Sequence, residues 1–408
     1  MEKRSYEKSV DRISQLPEPV ICEILSWLPI RDSIATCFLS RSWRHRWKDL
    51  QAFYFSTLPF LSQMGYLDDH GRMRFLTFVN GVLLHHRSAA VRKLTIRDYA
   101  FPLDSHDAAF KAWVYAAIGP HLEELKLMAT GRNFMVPSQL FTCCTSLVNL
   151  ELTCCRFDAE EPTQVRFPSL KNLKLGFCNP NLVTTILSGS PILETLDLSV
   201  ATELRVLKIH SPSLKRLYFF DLHSMRIELI EINIPLLEYL SIRICSPQYQ
   251  LISVCNSHNL VEANINCFAA ENYVSYVPKL LKSLCKVKSL VLHPATIHCL
   301  VRATQFDLPE FRYLLNLEFV NMMLNTRFLF RMLERCPMLQ VLTINKCQVA
   351  LHAWTPPTNV PYCLASQLST VNFKTYHGTK DDLLELIAYI LREGLALKSI
   401  SIGFGYVP

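Results

Sequence analysis

The sequence predicts an α/β protein in which a short helical segment precedes a long array of repeated strands. Two observations predict this fold class. Apolar residues between 11 and 50 recur at helical spacing, and a leucine pattern that alternates apolar with polar positions recurs through most of the remaining chain. A chain of 408 residues that is 50% hydrophobic and 19% charged is also long and apolar enough to fold throughout.

The first element is a group of three short helices in residues 11–50. A stripe of apolar residues four apart, bounded by two prolines, predicts the first helix: Val20, Ile24 and Leu28, with Pro17 and Pro29. Asp32 is placed to cap a second helix, and Ser40 to cap a third. Because a segment of about 40 residues cannot bury all of its apolar surface, we expect the exposed apolar surface to contact another chain.

This segment resembles an F-box, particularly the plant kind. The resemblance rests on residues at fixed spacing: Asp11-Arg12-Ile13, Leu16-Pro17, Val20, Ile24-Leu25, Leu28-Pro29, Leu39-Ser40, Trp43-Arg44 and Trp47. It implies docking on a Skp-type adaptor, which links an F-box protein to a cullin-RING scaffold in a ubiquitin ligase. The adaptor-binding residues that it implies are Leu16, Pro17, Val20, Ile24, Leu25, Leu28, Pro29, Leu39 and Trp43. A helical cap on the following domain is the alternative.

A connecting region is predicted for residues 51–88. The run from Gln51 to Ser56 has the composition of a short strand, and Thr57 to Met73 that of a loop. Apolar residues from Phe75 onward follow helical spacing and predict a helix that ends near His86.

From residue 89 to 360 the pattern LxxLxL recurs, where x is mostly polar. Its regular copies begin at Leu122, Leu147, Leu170, Leu193, Leu214, Leu237, Val287 and Leu339, and less regular copies begin at Leu260 and Leu314. The first six copies start 21 to 25 residues apart, a period typical of leucine-rich repeats. The resemblance implies a curved solenoid of short parallel strands with helical or irregular returns. Return helices are predicted at 182–187, 277–284 and 328–333.

Four cysteines follow the repeat strands at one position. Cys155, Cys178, Cys245 and Cys347 each lie three residues after the last apolar position of a repeat, where leucine-rich repeats carry Asn or Cys. We interpret them as small buried side chains rather than a metal site, because one cysteine per repeat is the wrong geometry for metal binding.

The residues that alternate with the buried leucines are predicted to face the concave side. In two neighbouring repeats they include aromatic and arginine side chains, the types enriched in binding hot spots. One hypothesis is that these residues help to hold a substrate: Arg216, Tyr218, Phe220, Tyr239 and Arg243. An ordinary solvated inner face is the alternative.

Residues 361–408 change character. A strand is predicted at 368–373 and a second strand at 397–402. Between them, a capping box at 379–382 predicts the start of a helix. The segment resembles the FBD region that closes many plant F-box and leucine-rich-repeat proteins, and it would serve as a terminal cap. The predicted regions are thus a tail (1–10), the F-box (11–50), the connection (51–88), the repeats (89–360) and the cap (361–408).

Motifs of enzymatic chemistry are missing from the sequence. There is no GxGxxG, HExxH, GxSxG or CxxC, and the SxxK at Ser283–Lys286 falls on a predicted return helix. The net charge of +7 is a mild bias over this length. The N-terminal MEKRSYEKSV is charged and no apolar run reaches membrane length, so we expect a cytoplasmic or nuclear protein.

The combined resemblance implies a non-catalytic, substrate-recognition subunit of a Skp-cullin-F-box ubiquitin ligase. Its expected partners are a Skp-type adaptor, through it a cullin-RING scaffold, and an unknown protein target, with no cofactor, metal, nucleic acid or membrane. Two alternatives stay open: a scaffold that holds the adaptor without directing degradation, and a receptor that senses a small molecule.

Overall fold

The structure is a computed structural model. It describes residues 13, 15–88, 90–98, 107–129, 134–157, 164–177, 181–200, 205–222, 228–245, 251–268, 275–303, 307–320, 323–324, 326–345, 348–349, 357–376 and 380–404. The chain forms two compact units, Met1–Cys178 (unit 1) and Asn179–Pro408 (unit 2).

Unit 1 begins with short helices. Helix α1 (Glu18–Ser26) and helix α2 (Ile30–Ala35) each start after a proline, and a 3-10 turn follows at Thr36–Phe38. The predicted cap at Asp32 is wrong, because Pro29 holds the N-cap position of α2 and Asp32 lies inside the first turn. There its carboxylate still complements the helix dipole.

The predicted third helix from Ser40 is also wrong. Residues 41–45 form turns, and only a 3-10 helix follows at Arg46–Asp49. Local side-chain hydrogen bonds compete with the helical pattern: the hydroxyl oxygens of Ser40 and Ser42 lie 2.7 Å apart, and Arg46 Nε donates to the Ser42 carbonyl at 2.9 Å.

The connection to the repeats contains a strand, a short turn and a long helix. Strand β1 (Ala52–Ser56), a 3-10 turn (Leu58–Phe60) and helix α3 (Asp69–His85) follow one another. Helix α3 starts earlier than its apolar periodicity indicated, because the Asp68 carboxylate caps it by accepting from the Gly71 N–H at 2.7 Å. Phe75, Val79 and Val82 bury the predicted face.

The strands of unit 1 are parallel. The main sheet has the order β1, β2 (Lys93–Asp98), β3 (Glu124–Ala129), β5 (Asn149–Thr153) and β7 (Asn172–Gly176), and a small sheet pairs β4 (Phe134–Val136) with β6 (Cys155–Phe157). Helices α4 (Asp107–Ala117) and α5 (Leu140–Cys143) lie in the connections. The leucines of each repeat pattern are buried, including Leu125, Leu150 and Leu173.

Unit 2 continues the repeat pattern with a second run of parallel strands. Their order is β8 (Thr195–Val200), β10 (Arg216–Asp221), β12 (Tyr239–Ile244), β14 (Glu262–Cys267), β15 (Ser289–Leu292), β16 (Asn316–Val320), β18 (Val341–Asn345), β20 (Thr370–Tyr376) and β21 (Ser399–Phe404). Neighbouring strands align their apolar positions, so that Leu196, Leu217 and Leu240 stack in one buried row. Each such side chain stabilises the unit by about 1.5–3 kcal/mol.

Three returns of unit 2 are strands rather than helices. The strands β9 (Val206–His210), β11 (Leu229–Asn233) and β13 (Leu251–Cys255) form a separate parallel sheet. Each segment alternates buried and less buried positions, and its buried residues are Leu, Ile or Val. This alternation at a spacing of 22 to 23 residues is a strand signal that the expectation of helical or irregular returns overlooked.

The other returns of unit 2 include helices. They are α6 (Asn181–Ser188), α7 (Tyr276–Ser283), α8 (Pro294–Arg302), α9 (Thr326–Leu333), α10 (Tyr362–Ser366) and α11 (Lys380–Glu393). The return helices predicted at 182–187, 277–284 and 328–333 correspond to α6, α7 and α9. The predicted capping residue Thr379 lies outside the described residues. In the described part of the chain, no helix combines the length and the hydropathy needed to cross a membrane.

Candidate functional site: an apolar docking patch and an open sheet face

The F-box segment has a small core of its own. Ile21 and Leu25 of α1 are buried together with Ile30, Trp43 and Leu50. The Ser33 hydroxyl ties α2 to α1 by donating to the Leu25 carbonyl oxygen at 2.8 Å. This core holds the short helices in fixed positions.

Two of the residues predicted to contact an adaptor belong to this core. Leu25 is 1% exposed and Trp43 is 5% exposed. Because their own chain encloses these side chains, they support the surface rather than form it. The sequence pattern includes them because the spacing of a motif does not separate core residues from contact residues.

The other predicted residues lie at or near the surface. Val20 and Ile24 are exposed and share one face of α1 at the spacing i, i+4, and the exposed Leu28 follows just after the end of the helix. Pro17 and Pro29 are exposed at the starts of the two helices, and Leu16 is half-buried. Leu39 is 70% exposed.

Two large aromatic side chains that the sequence reading missed extend this surface. Trp27 is 80% exposed, and its indole N–H donates to the Glu23 carboxylate at 3.0 Å. Phe38 is 89% exposed at the end of the 3-10 turn. We call the exposed set the docking patch: Val20, Ile24, Trp27, Leu28, Phe38 and Leu39. Soluble proteins seldom leave such a group of apolar side chains in water unless a partner covers it.

A second candidate surface is the open face of unit 2, which carries the side chains that alternate with the buried row. On β10 and β12 it holds the five residues predicted to bind a substrate. Arg216 lies opposite Tyr239, and Phe220 lies opposite Arg243. Arg216, Tyr218 and Arg243 are exposed, and Phe220 and Tyr239 are half-buried. The structure therefore brings these residues together on one surface.

Ring contacts order this part of the face. The Tyr218 and Tyr239 ring centroids lie 5.2 Å apart, and the Arg243 guanidinium lies 4.9 Å from the Phe220 ring centroid. Burial, followed by the proximity of Tyr218, raises the pKa of Tyr239. Burial and then the positive charge of Arg243 lower the pKa of His293, which follows β15.

The described residues of the SxxK sequence and of the cysteine positions have ordinary structural surroundings. The Ser283 hydroxyl of the SxxK sequence donates to the Leu280 carbonyl of its own helix at 2.6 Å. Cys155 is buried and Cys245 half-buried, whereas Cys178 and Cys347 lie outside the described residues. Among the residues that the structure describes, no group of three or more His, Cys, Asp or Glu side chains is arranged to hold a metal ion.

Unit 2 also contains a small cavity of about 210 Å³. It lies beside the end of β13 and the C-terminal end of α7, and its lining includes His258, Lys282 and Lys286. Pockets for small organic ligands occupy about 300–1,000 Å³. The cavity therefore does not favour the small-molecule receptor among the alternatives.

The fold and these surfaces define a class: a repeat protein with a parallel-strand scaffold and a separate apolar patch for another protein. Family models match three parts of the chain. The F-box domain matches residues 13–54, the model described as FBD-associated F-box protein At5g56370, LRR repeats, matches 110–262, and FBD matches 356–402.

Relatives in Arabidopsis thaliana match almost the whole chain. F-box/FBD/LRR-repeat protein At3g52680 is 31% identical over 95% of this chain and 84% of its own length. At3g26920 is 31% identical over 95% of this chain and 88% of its own length. At4g00160 is 30% identical over 95% of this chain and 85% of its own length. The chain belongs to the family of F-box/FBD/LRR-repeat proteins. Its F-box domain implies binding of a Skp-type adaptor, and proteins of this kind are generally non-catalytic adaptors.

Proposed function

We propose that this protein is the substrate-recognition subunit of a Skp-cullin-F-box ubiquitin ligase, acting in the cytoplasm or nucleus. The docking patch binds the Skp-type adaptor, and the repeats bind the target. The observation that carries the proposal is the exposed apolar patch on an F-box segment whose own core is already complete. The exposed parts of these side chains are not covered by the described residues and fit a partner with a matching apolar surface.

The protein itself would perform no bond-breaking step. By holding a target beside the ubiquitin-transferring subunits, it would raise the effective concentration of the target there. Binding energy at both surfaces, rather than a catalytic residue, would therefore determine its activity.

Co-purification of the full chain with a panel of Skp-type adaptors tests the first half of the proposal. We compare wild type with the triple variant Ile24→Ala/Leu28→Ala/Leu39→Ala, because these three predicted contact residues are exposed. The matched control is Met64→Ala/Leu84→Ala, which removes exposed apolar side chains of unit 1 outside the F-box. We expect the triple variant to fold and lose the adaptor, and the control to keep it.

Target turnover tests the second half. If the wild type directs its targets to degradation, some of the proteins that it binds should become longer-lived in cells when the triple variant replaces it. If adaptor binding is lost but no bound protein changes in lifetime, the non-degradative scaffold is the better description. If wild type binds no adaptor, the ligase role itself is refuted.

A further inference from the structure

Two arginines on the open face of unit 2 form no ion pair with an acidic side chain of the described residues. Lysine and arginine occupy three described positions of this face: Arg216, Arg243 and Lys374. Lys374 Nζ lies 4.0 Å from a Glu318 carboxylate oxygen. Among the described residues, neither arginine has a carboxylate within ion-pairing distance. An exposed guanidinium with no acidic partner presents planar N–H donors that match a carboxylate.

Aromatic rings lie between the two arginines. Tyr218 and Tyr239 contact each other at the centre of the group, with their ring centroids 5.2 Å apart. The guanidinium carbon of Arg243 lies over the Phe220 ring, 4.9 Å from the ring centroid. Stacking covers the face of a guanidinium and leaves its N–H edge free to bind a carboxylate in a bidentate way. The group therefore combines a cation, an apolar centre and a second cation.

The strand register sets the distance between the cations. Arg243 lies opposite Phe220, which is four residues beyond Arg216 on β10. At about 3.3 Å per residue and about 4.8 Å between strands, the two Cα atoms are about 14 Å apart. In an extended peptide, residues i and i+4 point to the same side and are about 13 Å apart, with residue i+2 midway between them.

We propose that this group binds an extended acidic segment of a protein target, with the pattern acid-x-aromatic-x-acid. The two acidic side chains bind Arg216 and Arg243, and the aromatic side chain packs on Tyr218 and Tyr239. This inference rests on the proposed function, because it names the kind of segment that a target presents to the repeats.

The neighbouring charges favour such a peptide over single-stranded nucleic acid. Asp197 lies opposite Tyr218 on one side, and Glu262 lies opposite Tyr239 on the other. A continuous polyanion that crossed the group would meet these carboxylates, whereas a peptide with two separate acids places its charges only at the arginines. Single-strand binders instead line a groove with successive cations.

Fluorescence anisotropy with labelled peptides tests the inference on the full chain bound to its adaptor. The probe is the peptide SESFSES, and the controls are SKSFSKS, which reverses the charges, and SEESFSS, which places the acids side by side. A labelled oligothymidine is the nucleic-acid probe. We expect SESFSES to bind tightest and its binding to weaken between about 0.1 M and about 0.5 M salt.

The variants are Arg216→Gln, Arg243→Gln and the double variant. The control Lys279→Gln/Arg312→Gln removes the same charge from exposed positions of unit 2 outside the main sheet. Each single variant should weaken SESFSES binding about tenfold, as for the loss of one charged hydrogen-bonding group, and the control should leave it unchanged. Adaptor co-purification of every variant is measured in parallel and should match wild type.

Several results would overturn the inference: no saturable binding of SESFSES, equal binding of SKSFSKS, no effect of the arginine variants, or tighter arginine-dependent binding of oligothymidine. Failure of the proposed function is distinguishable from these results. If the chain alone binds SESFSES through both arginines but wild type binds no adaptor, the peptide site stands and the ligase role falls.

Discussion

Trp27 and Phe38 are the aromatic side chains of the docking patch, and we expect the change of both to alanine to weaken adaptor binding strongly. They are 80% and 89% exposed, so most of each ring is free to be buried by a partner. Burial of about 150–250 Å² per ring at about 25 cal/mol per Å² gives at most about 4–6 kcal/mol each. Substitutions of interface hot spots often cost about 2 kcal/mol or more.

The double variant Trp27→Ala/Phe38→Ala should therefore weaken adaptor binding by about 4 kcal/mol, or close to a thousandfold. Isothermal titration calorimetry of the purified chain with the adaptor measures this change. Thermal denaturation of the free chain is the companion measurement, and the midpoint should stay close to that of wild type because neither ring belongs to the core.

Leu25→Ala should mainly reduce the folding stability of the chain, whereas Trp27→Ala/Phe38→Ala should mainly reduce its affinity for the adaptor. Leu25 is buried, and removal of such a side chain costs about 2–5 kcal/mol of folding free energy. This variant should lower the denaturation temperature of the F-box segment. The assignment of patch and core is refuted if Trp27→Ala/Phe38→Ala destabilises the chain as Leu25→Ala does, or if it binds the adaptor as tightly as Met64→Ala/Leu84→Ala does.

Three further predictions concern the scaffold and the open face. In helix α3, Gly71→Ala should destabilise the chain because the added Cβ would overlap the Phe60 carbonyl oxygen, whereas Gly81→Ala meets open space and should stabilise it by about 0.5–1 kcal/mol; urea denaturation measures both. Burial raises the pKa of Cys144 to about 11, so its thiol stays protonated in the folded state while an unfolded thiol ionises near pH 8.5. Unfolding should therefore become more favourable as the pH rises from about 8.5 to about 11, and Cys144→Ala should reduce this dependence in denaturation measured across that range. Arg243→Gln should raise the pKa of His293 in an NMR titration, because it removes the positive charge that helps to lower that pKa. An equal rise of the His293 pKa in Arg216→Gln would contradict the attribution of this effect to Arg243.

Much of the fold follows from local patterns. The alternation in LxxLxL determines which side chains of each strand are buried, because successive residues of a strand point to opposite faces. The period of the pattern places the next strand beside the last, as the in-register pairs of β8, β10 and β12 show. The strand returns β9, β11 and β13 had the same kind of signal in their alternating apolar residues.

The candidate sites depended more on tertiary structure. The F-box pattern marked the right segment, but only packing separated buried Leu25 and Trp43 from exposed Trp27 and Phe38. In short helices and turns, exposure depends on how neighbouring segments cover each side chain, and residue type does not encode that covering.

The sequence by itself determined the repeat strands and the five residues that share the open face, since alternation and period are local properties of the chain, and its F-box and FBD motifs indicated the class of the protein by resemblance. Only the tertiary structure decided which apolar side chains remain for a partner, that the Tyr218 ring contacts the Tyr239 ring, and that Arg216 and Arg243 have no acidic neighbour within ion-pairing distance among the described residues. Those properties arise between segments that are distant along the chain, and folding alone brings them into contact.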